Sequence, residues 1–223
     1  MNHIAPKVVT VIVPTLNEVE NIEKVLMEIP KEKVDEILIV DGHSTDGTVE
    51  LVRKLGYPLI FQEEKGFGKA IEMGIKHAKG DVLIFITADN SQNPKDIPKL
   101  LDKLDEGYDL VLASRYLPGA GSEDDTLLHY LGNKFFTFLC NIVHKTNFSD
   151  TLYFFQAIRK KVFDSVKLTS SDFGYCIELP IKVHKAGFKV IQVPSFERKR
   201  SGSKAKVSAF STGWEILSAI LKY

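Results

Sequence analysis

Two polar clusters carry the residues best suited to chemistry in this chain of 223 residues. Pro14-Thr15-Leu16-Asn17-Glu18 closes one short apolar run, and Asp41-Gly42-His43-Ser44-Thr45-Asp46-Gly47-Thr48 closes another. A carboxylate only accepts hydrogen bonds, so Glu18 and Asp41 select donors such as a nucleobase N–H or ribose hydroxyls. Gly42 and Gly47 permit tight turns and close approach of backbone to a ligand. No glycine-rich phosphate cradle accompanies them. The ligand they suggest is a nucleotide whose base and ribose are read by side chains. Ordinary helix capping competes as an account of Asp41 and Ser44. Further on, Gly66-Phe67-Gly68-Lys69 opens a helical pattern. Lys69 would add a cation to backbone amides at a helix start, a place suited to a diphosphate. A solvated lysine is the alternative there.

These clusters need a scaffold that brings them to one place. Residues 8–13 and 36–41 read as buried, β-branched strands, each followed by a helical pattern near 18–28 and 45–55. Ser44 is a candidate N-cap for the second helix, and Gly56 lies just beyond its end. Residues 57–62 suggest a third strand, and a helix from Gly66 to about Ala78 stops at Gly80. Val82 to Ile86 is a buried-strand run ending in Thr87-Ala88-Asp89-Asn90. Pro94 starts a helix, and 109–113 form a strand ending at Ser114-Arg115-Tyr116. Alternating strands and helices imply a parallel sheet, whose ligands bind outside the carboxyl ends of the strands. After a loop at 117–125 the rhythm breaks. A helix near 127–144, an apolar stretch at 151–158, a helix near 174–186, a short strand at 191–194, a basic loop and a helix at 207–223 complete the expectation.

Bulk properties narrow the function. The chain is 44% hydrophobic and has zero net charge, which favours one large α/β domain and gives no reason to expect nucleic acid. Its two cysteines, Cys140 and Cys176, are too few for a disulfide framework. The N-terminal stretch lacks a signal-peptide pattern, and no apolar run approaches the roughly 18 residues of a membrane span. A cytoplasmic location is expected. Charge is uneven, with eight Lys or Arg between Lys182 and Lys206 against Glu197 alone. That points to a local anionic partner or a solvated basic face.

In this order the motifs resemble the family 2 glycosyltransferases of the GT-A fold, and among them the dolichol-phosphate mannosyltransferase and polyprenyl-phosphate glycosyltransferase branch. Pro14 to Glu18 is similar to P-T-x-N-E, and Asp41 to Thr48 to D-G-x-S-x-D-G-T. Gly68-Lys69-Ala70 with Gly74 resembles G-K-x-x-A-x-x-x-G, Ser114-Arg115-Tyr116 resembles S-R-Y, and Gly202-Ser203-Lys204 the terminal G-S-K. The resemblance implies a GT-A-like three-layer α/β/α fold with a predominantly parallel central sheet. It implies a single domain over residues 1–223, with a nucleotide-sugar half (1–115), an acceptor half (116–206) and a C-terminal amphipathic helix (207–223). The implied donor-site residues are Pro14, Thr15, Asn17, Glu18, Asp41, Gly42, Ser44, Lys69, Ala88 and Asp89. Arg115, Arg198, Ser203 and Lys204 are implied at an acceptor phosphate, with Asp89, Arg115 and Lys69 as the catalytic set.

Two departures stand out. Where the family carries D-x-D to hold a divalent cation, this chain reads Thr87-Ala88-Asp89, leaving one carboxylate. Mg²⁺ or Mn²⁺ on Asp89 is then expected to bind weakly without nucleotide, with Ser91 or Gln92 as candidate extra oxygens. Where the family carries D-T-x-S-G-F-R-A, this chain has Phe154 for the Gly and Gln156 for the Arg. Phe154 suits a core position better than an acceptor wall. Asp150, Glu178, Arg198 and Lys204 keep the pattern. The implied reaction is an inverting transfer of a hexose, from a GDP-mannose or UDP-glucose type of donor, to a polyprenyl or dolichyl phosphate. A peripheral site on the cytoplasmic membrane face, bound through 182–223, follows. The stripe Phe210, Trp214, Leu217 and Leu221, with Ile220 beside it, would lie in the interface. A second copy or a membrane protein stays open as a partner. Three other accounts remain: a soluble or protein acceptor with Asp150 or Asp172 as base, a binding protein without turnover, and a sugar nucleotidyltransferase.

Overall fold

The computed structural model describes residues 7–200 and 209–223, with backbone alone for 209–211. The first strand, β1 (Val9–Thr15), is buried along its whole length, as expected of a strand covered on both faces. It pairs in parallel with β2 (Glu36–Asp41), from Thr10 opposite Glu36 to Thr15 opposite Asp41. Strand β3 (Leu59–Phe61) extends that edge in parallel. On the other side β1 pairs in parallel with β4 (Val82–Phe85). The seven-stranded order is β3-β2-β1-β4-β7-β5-β8, with β5 (Leu110–Ser114), β7 (Gln156–Arg159) and β8 (Val190–Pro194). The chain grows leftward from β1 to β3 and then crosses to β4. The order therefore reverses between β1 and β4, and the crevice beyond their carboxyl ends is where such sheets bind ligands.

The parallel rhythm breaks at β7, which runs antiparallel to both β4 and β5. Its four residues, Gln-Ala-Ile-Arg, do not by themselves disclose a direction. A small second sheet pairs β6 (Gly121–Ser122) with β9 (Phe196–Glu197) and ties the loop after β5 to the segment after β8.

Helices cover both faces. Side chains alternate along each strand, so Ile12 joins one core while Val11 and Val13 join the other. The Val11 side packs α1 (Ile22–Glu28) and α4 (Ile97–Asp105) through Val25, Leu26, Leu100 and Leu104, with Val52 of α2 (Thr48–Lys54) nearby. The Ile12 side packs α3 (Phe67–His77), α6 (Tyr175–Lys185) and α7 (Ala209–Lys222), and Cys140 of α5 (Leu127–His144). Gly74 lets α3 lie on β1: a Cβ there would stand 2.5 Å from Ile12 Cγ2.

Two local expectations change. The helix expected from about residue 18 begins at Ile22, because Glu18 to Asn21 form a turn in which Glu18 O accepts from Asn21 N and Ile22 N. Ser44 does not cap α2. The cap position is Gly47, at φ +100°, and Asp46 accepts from Thr48 N instead. Along α7, Ile216, Ala219 and Ile220 are the buried residues, whereas Trp214 and Leu221 are exposed. Of the stripe expected at an interface, Trp214 and Leu221 therefore face outward, while Ile220 beside it is buried; the Phe210 side chain lies outside the described residues.

Candidate active site

A cavity of about 380 Å³ occupies the crevice beyond β1 and β4. Pro14, Thr15, Leu16 and Glu18 line it from the end of β1, Gly42 and Gln62 from the ends of β2 and β3, and Thr87, Ala88 and Asp89 from the end of β4. Gly66, Phe67 and Ala70 at the start of α3, Asp172 and Phe173 before α6, and Arg200 complete the wall. Its size and position suit a small-molecule ligand. The structure brings together Pro14, Thr15, Glu18, Gly42, Ala88 and Asp89 around this one space.

Asn17, Asp41 and Ser44 stand behind the wall. Asp41 is fully buried, and its carboxylate accepts from Ser44 N at 2.8 Å and Ser44 Oγ at 2.7 Å. Ser44 Oγ accepts in turn from Asn17 N, and Asn17 Oδ1 accepts from Thr45 N. Glu18 N donates to Thr48 Oγ1. The two polar turns are therefore buttoned to each other, which sets the positions of Glu18 and Gly42. Asp41 contributes to the cavity through that scaffold, its carboxylate being engaged by Ser44.

Lys69 also misses the cavity. Its ammonium pairs with Glu72 at 3.1 Å and Glu64 at 3.3 Å, and these partners raise its pKa. The α3 amides beside it have partners as well: Phe67 N donates to Asp172 Oδ1 and Lys69 N to Ser171 O. That contact explains the glycines. A Cβ on Gly68 would sit 2.2 Å from Ser170 O, and one on Gly66 2.4 Å from Ser171 O. Glu178 holds the approaching loop, accepting from Thr169 N, Ser170 N and Lys182 Nζ. Burial works against its charge, yet these donors hold its pKa below the usual carboxylate value. The loop delivers Phe173, which stacks on Phe67 at 5.0 Å. Phe154 meets Phe67 edge-on at 4.6 Å from beneath and is buried, so the aromatic that replaces glycine is core supporting the cavity wall.

Arg115 and Arg198, expected at an acceptor phosphate, do not line this cavity. Arg115 is buried, donates through Nε and Nη2 to both oxygens of Asp150, and reaches Glu197 through Nη1. Arg198 pairs with Glu28 at 2.7 Å and donates to Asn93 Oδ1, locking the loop after β4. Ser203 and Lys204 lie outside the described residues. Arg200 was not singled out from the sequence, since it is one basic residue in a basic run. It lines the cavity and places Nε 3.0 Å from Asp89 Oδ2.

Asp89 gives a direct test of metal fit. Its Oδ1 accepts from Thr87 Oγ1, Ser91 N and Ser91 Oγ, and its Oδ2 faces Arg200. Ser91 Oγ donates to Asp89 here, and Gln92 Oε1 accepts from Thr87 N, so both side chains are engaged in shaping the turn. Among the described residues no group of three or more His, Cys, Asp or Glu could hold a metal. Without nucleotide, the arrangement offers a divalent cation one carboxylate, Asp89, whose oxygens are already engaged by Thr87, Ser91 and Arg200.

A family model described as glycosyl transferase family 2 matches residues 10–167. The chain belongs to that family. This family 2 glycosyltransferase is 31% identical over 214 residues to "Dolichyl-phosphate hexose transferase" of Haloferax volcanii, covering 95% of this chain and 92% of the relative. It is 32% identical over 194 residues to "Glycosyltransferase AglJ" of the same organism, covering 85% of this chain. It is 34% identical over 210 residues to "Dolichol-phosphate mannosyltransferase" of Pyrococcus furiosus, covering 89% of this chain. The chain spans 63% and 59% of the lengths of the last two relatives. In fold it is similar to glucosyl-3-phosphoglycerate synthase from Mycobacterium tuberculosis, solved with Mn²⁺, UDP and glucosyl-3-phosphoglycerate. The TM-score is 0.78 at 20% identity, covering 96% of this chain and 79% of that one. The family 2 glycosyltransferase therefore has the GT-A-like α/β architecture, and family membership sets aside the nucleotidyltransferase account.

Proposed function

We propose that this family 2 glycosyltransferase moves a hexose, with inversion, from a nucleotide sugar to a polyprenyl phosphate at a membrane surface. The donor nucleotide occupies the cavity between β1 and β4. Gln62, Glu18 and the Gly42 backbone face its nucleoside, and Asp89 with Arg200 faces its diphosphate. The acceptor phosphate oxygen attacks the anomeric carbon from the side opposite the diphosphate. One C–O bond forms, the anomeric C–O bond to the diphosphate breaks, and the electron pair leaves with the nucleoside diphosphate. A phosphate monoester has a second pKa of about 6, so it attacks as a dianion and needs little help from a base. The protein's task is to hold two anionic groups in line and to stabilise the leaving charge.

The observation that carries the lipid acceptor is the outer face of α5. Leu127, Leu128, Leu131, Phe135, Phe138 and Ile142 recur at helical spacing and are all more than half exposed. Leu127 and Leu128 are 75% and 78% exposed. Apolar faces of this extent mark interaction or membrane surfaces. The face starts beside the site: Asp124, three residues before Leu127, accepts from Arg200 N. Trp214 and Leu221 of α7 add to the exposed apolar surface. No helix among the described residues is long and apolar enough to cross a membrane, so α5 would lie on the surface. This shifts the proposed contact from the basic stretch 182–206 to α5. Lys182 is bound to Glu178 and Lys167 O, Lys185 to Tyr223 O, and Arg198 to Glu28.

The test is a transfer panel of UDP- and GDP-hexoses with polyprenyl phosphate, 3-phosphoglycerate or water. Glycosyl-phospholipid as the main product is the expected result. Preferential transfer to 3-phosphoglycerate or another soluble acceptor would sink the lipid reading. Phe135→Asp combined with Phe138→Asp is expected to weaken liposome co-sedimentation about tenfold or more, since each ring buries roughly 1.5–3 kcal/mol of apolar surface. Both side chains point outward, so the melting temperature should stay put. Unchanged liposome binding would remove α5 from the membrane contact.

A further inference from the structure

We propose that Arg200 is a built-in cation at the donor diphosphate, held there by Asp89, so that this chain binds its nucleotide without a divalent metal. The inference deepens the reading of the cavity as a donor site and rests on it. Thr87 removes one charge from the place where a carboxylate pair would hold a metal. Its hydroxyl then donates to Asp89 Oδ1 at 2.7 Å, and Ser91 adds two more donors to the same oxygen. The remaining oxygen, Oδ2, faces Arg200 Nε at 3.0 Å. That Nε is enclosed, and the contact is an ion pair without an aligned hydrogen bond. Asp89 thus keeps the guanidinium at the wall, and no hydrogen bond among the described residues takes up the rest of its donor fork.

Charge in the cavity supports the same assignment. Among the described lining residues, Glu18, Asp89 and Asp172 are acidic and Arg200 alone is basic. A diphosphate entering this space needs a cation, and a guanidinium binds phosphate oxygens in bidentate fashion without losing its proton. Arg200 is also tethered rather than free to wander. Its backbone N donates to Asp124 Oδ1, and Arg198 N donates at 2.7 Å to Ser91 O, in the loop that carries Asp89. As the anomeric C–O bond breaks, the electron pair moves onto the diphosphate oxygen, and the guanidinium stabilises that charge with no proton transfer.

Calorimetric titration of UDP and GDP into the full chain, in excess EDTA and then in Mn²⁺, tests this. The better-bound nucleotide is expected to show affinities within about twofold in the two buffers, a difference well under 1 kcal/mol. Arg200→Gln should weaken that binding in EDTA by about tenfold or more, the scale of a charged hydrogen bond. Arg200→Lys, which keeps the charge but not the fork, should fall between. Adding Thr87→Asp to Arg200→Gln should restore affinity in Mn²⁺ only, and melting temperatures confirm that each variant is folded. A wild type that tightens about tenfold or more on adding Mn²⁺ overturns the proposal. So does a folded Arg200→Gln that binds in EDTA as wild type does. Failure of both nucleotides to bind in either buffer would instead remove the donor-site reading, and the inference with it.

Discussion

Replacing Asp89 with asparagine is expected to lower sugar transfer by about a hundredfold or more, the usual scale for removing one preorganised electrostatic group from a reacting centre. Asp89 acts on two levels. Its Oδ1 gathers Thr87 Oγ1, Ser91 N and Ser91 Oγ, and so shapes the turn after β4. Its Oδ2 holds Arg200 at the cavity wall. An asparagine keeps the shape, and through Oδ1 it can keep the turn. It loses the charge that pairs with Arg200 and presents an NH₂ group to one side, where a donor already stands. The guanidinium would then leave the wall or face an unfavourable neighbour. Initial rates with the best donor and acceptor of the transfer panel check this, with binding of the nucleoside diphosphate measured alongside. The rate should fall further than ground-state affinity, because leaving-group charge grows in the transition state. A fully active Asp89→Asn would mean that the reacting centre lies elsewhere.

Much of the scaffold was legible because its signals are local. The β-branched runs at Val9–Thr15 and Glu36–Asp41 end at polar turns, and α5 matches the expected 127–144 span. The antiparallel β7 was not legible, since pairing direction is decided by what lies on either side of Gln156–Arg159 rather than by its own residues. At the site, residue types pointed to the switch point between β1 and β4, and Glu18, Gly42 and Asp89 line one cavity there. They could not tell which carboxylates and cations would be engaged by neighbours. Asp41 turns to Ser44, Lys69 to Glu64 and Glu72, and Arg115 to Asp150. Such pairings join residues far apart in the chain, and nothing in the spacing discloses them. Arg200 shows the converse: a residue in an undifferentiated basic run becomes the described cation in the cavity by its pairing with Asp89 across the fold. The α5 surface was masked for a related reason. Thr137 and Asn141 interrupt its apolar sequence, yet Thr137 bonds Thr151 and Asn141 bonds the 146–148 turn, leaving the outward stripe apolar.

Asp150→Ala is expected to destabilise the protein by roughly 3–5 kcal/mol, a large share of the about 5–15 kcal/mol that holds a domain folded. Asp150 is almost fully buried and takes a two-point contact from Arg115, at 2.8 Å from Nε and 3.1 Å from Nη2, and a further bond from Arg115 N. Burial disfavours the guanidinium's charge, but Asp150 and Glu197 outweigh it and hold the arginine pKa above its ordinary value. Without Asp150 that charge would face the more distant Asp125 at 3.7 Å and Glu197, whose own carboxyl is pushed up by burial. The same cage joins β5, the turn at Asp150, and the small β6–β9 sheet, through Ser122 Oγ donating to Glu197. Breaking it loosens the segment that leads to Arg200. Urea unfolding at neutral pH measures the loss. Arg115→Lys separates this role from phosphate binding: lysine keeps a charge but cannot reproduce the fork. Below its melting temperature, that variant should lose stability while its KM for the lipid phosphate stays near wild type. A raised KM at unchanged stability would instead return Arg115 to the acceptor phosphate.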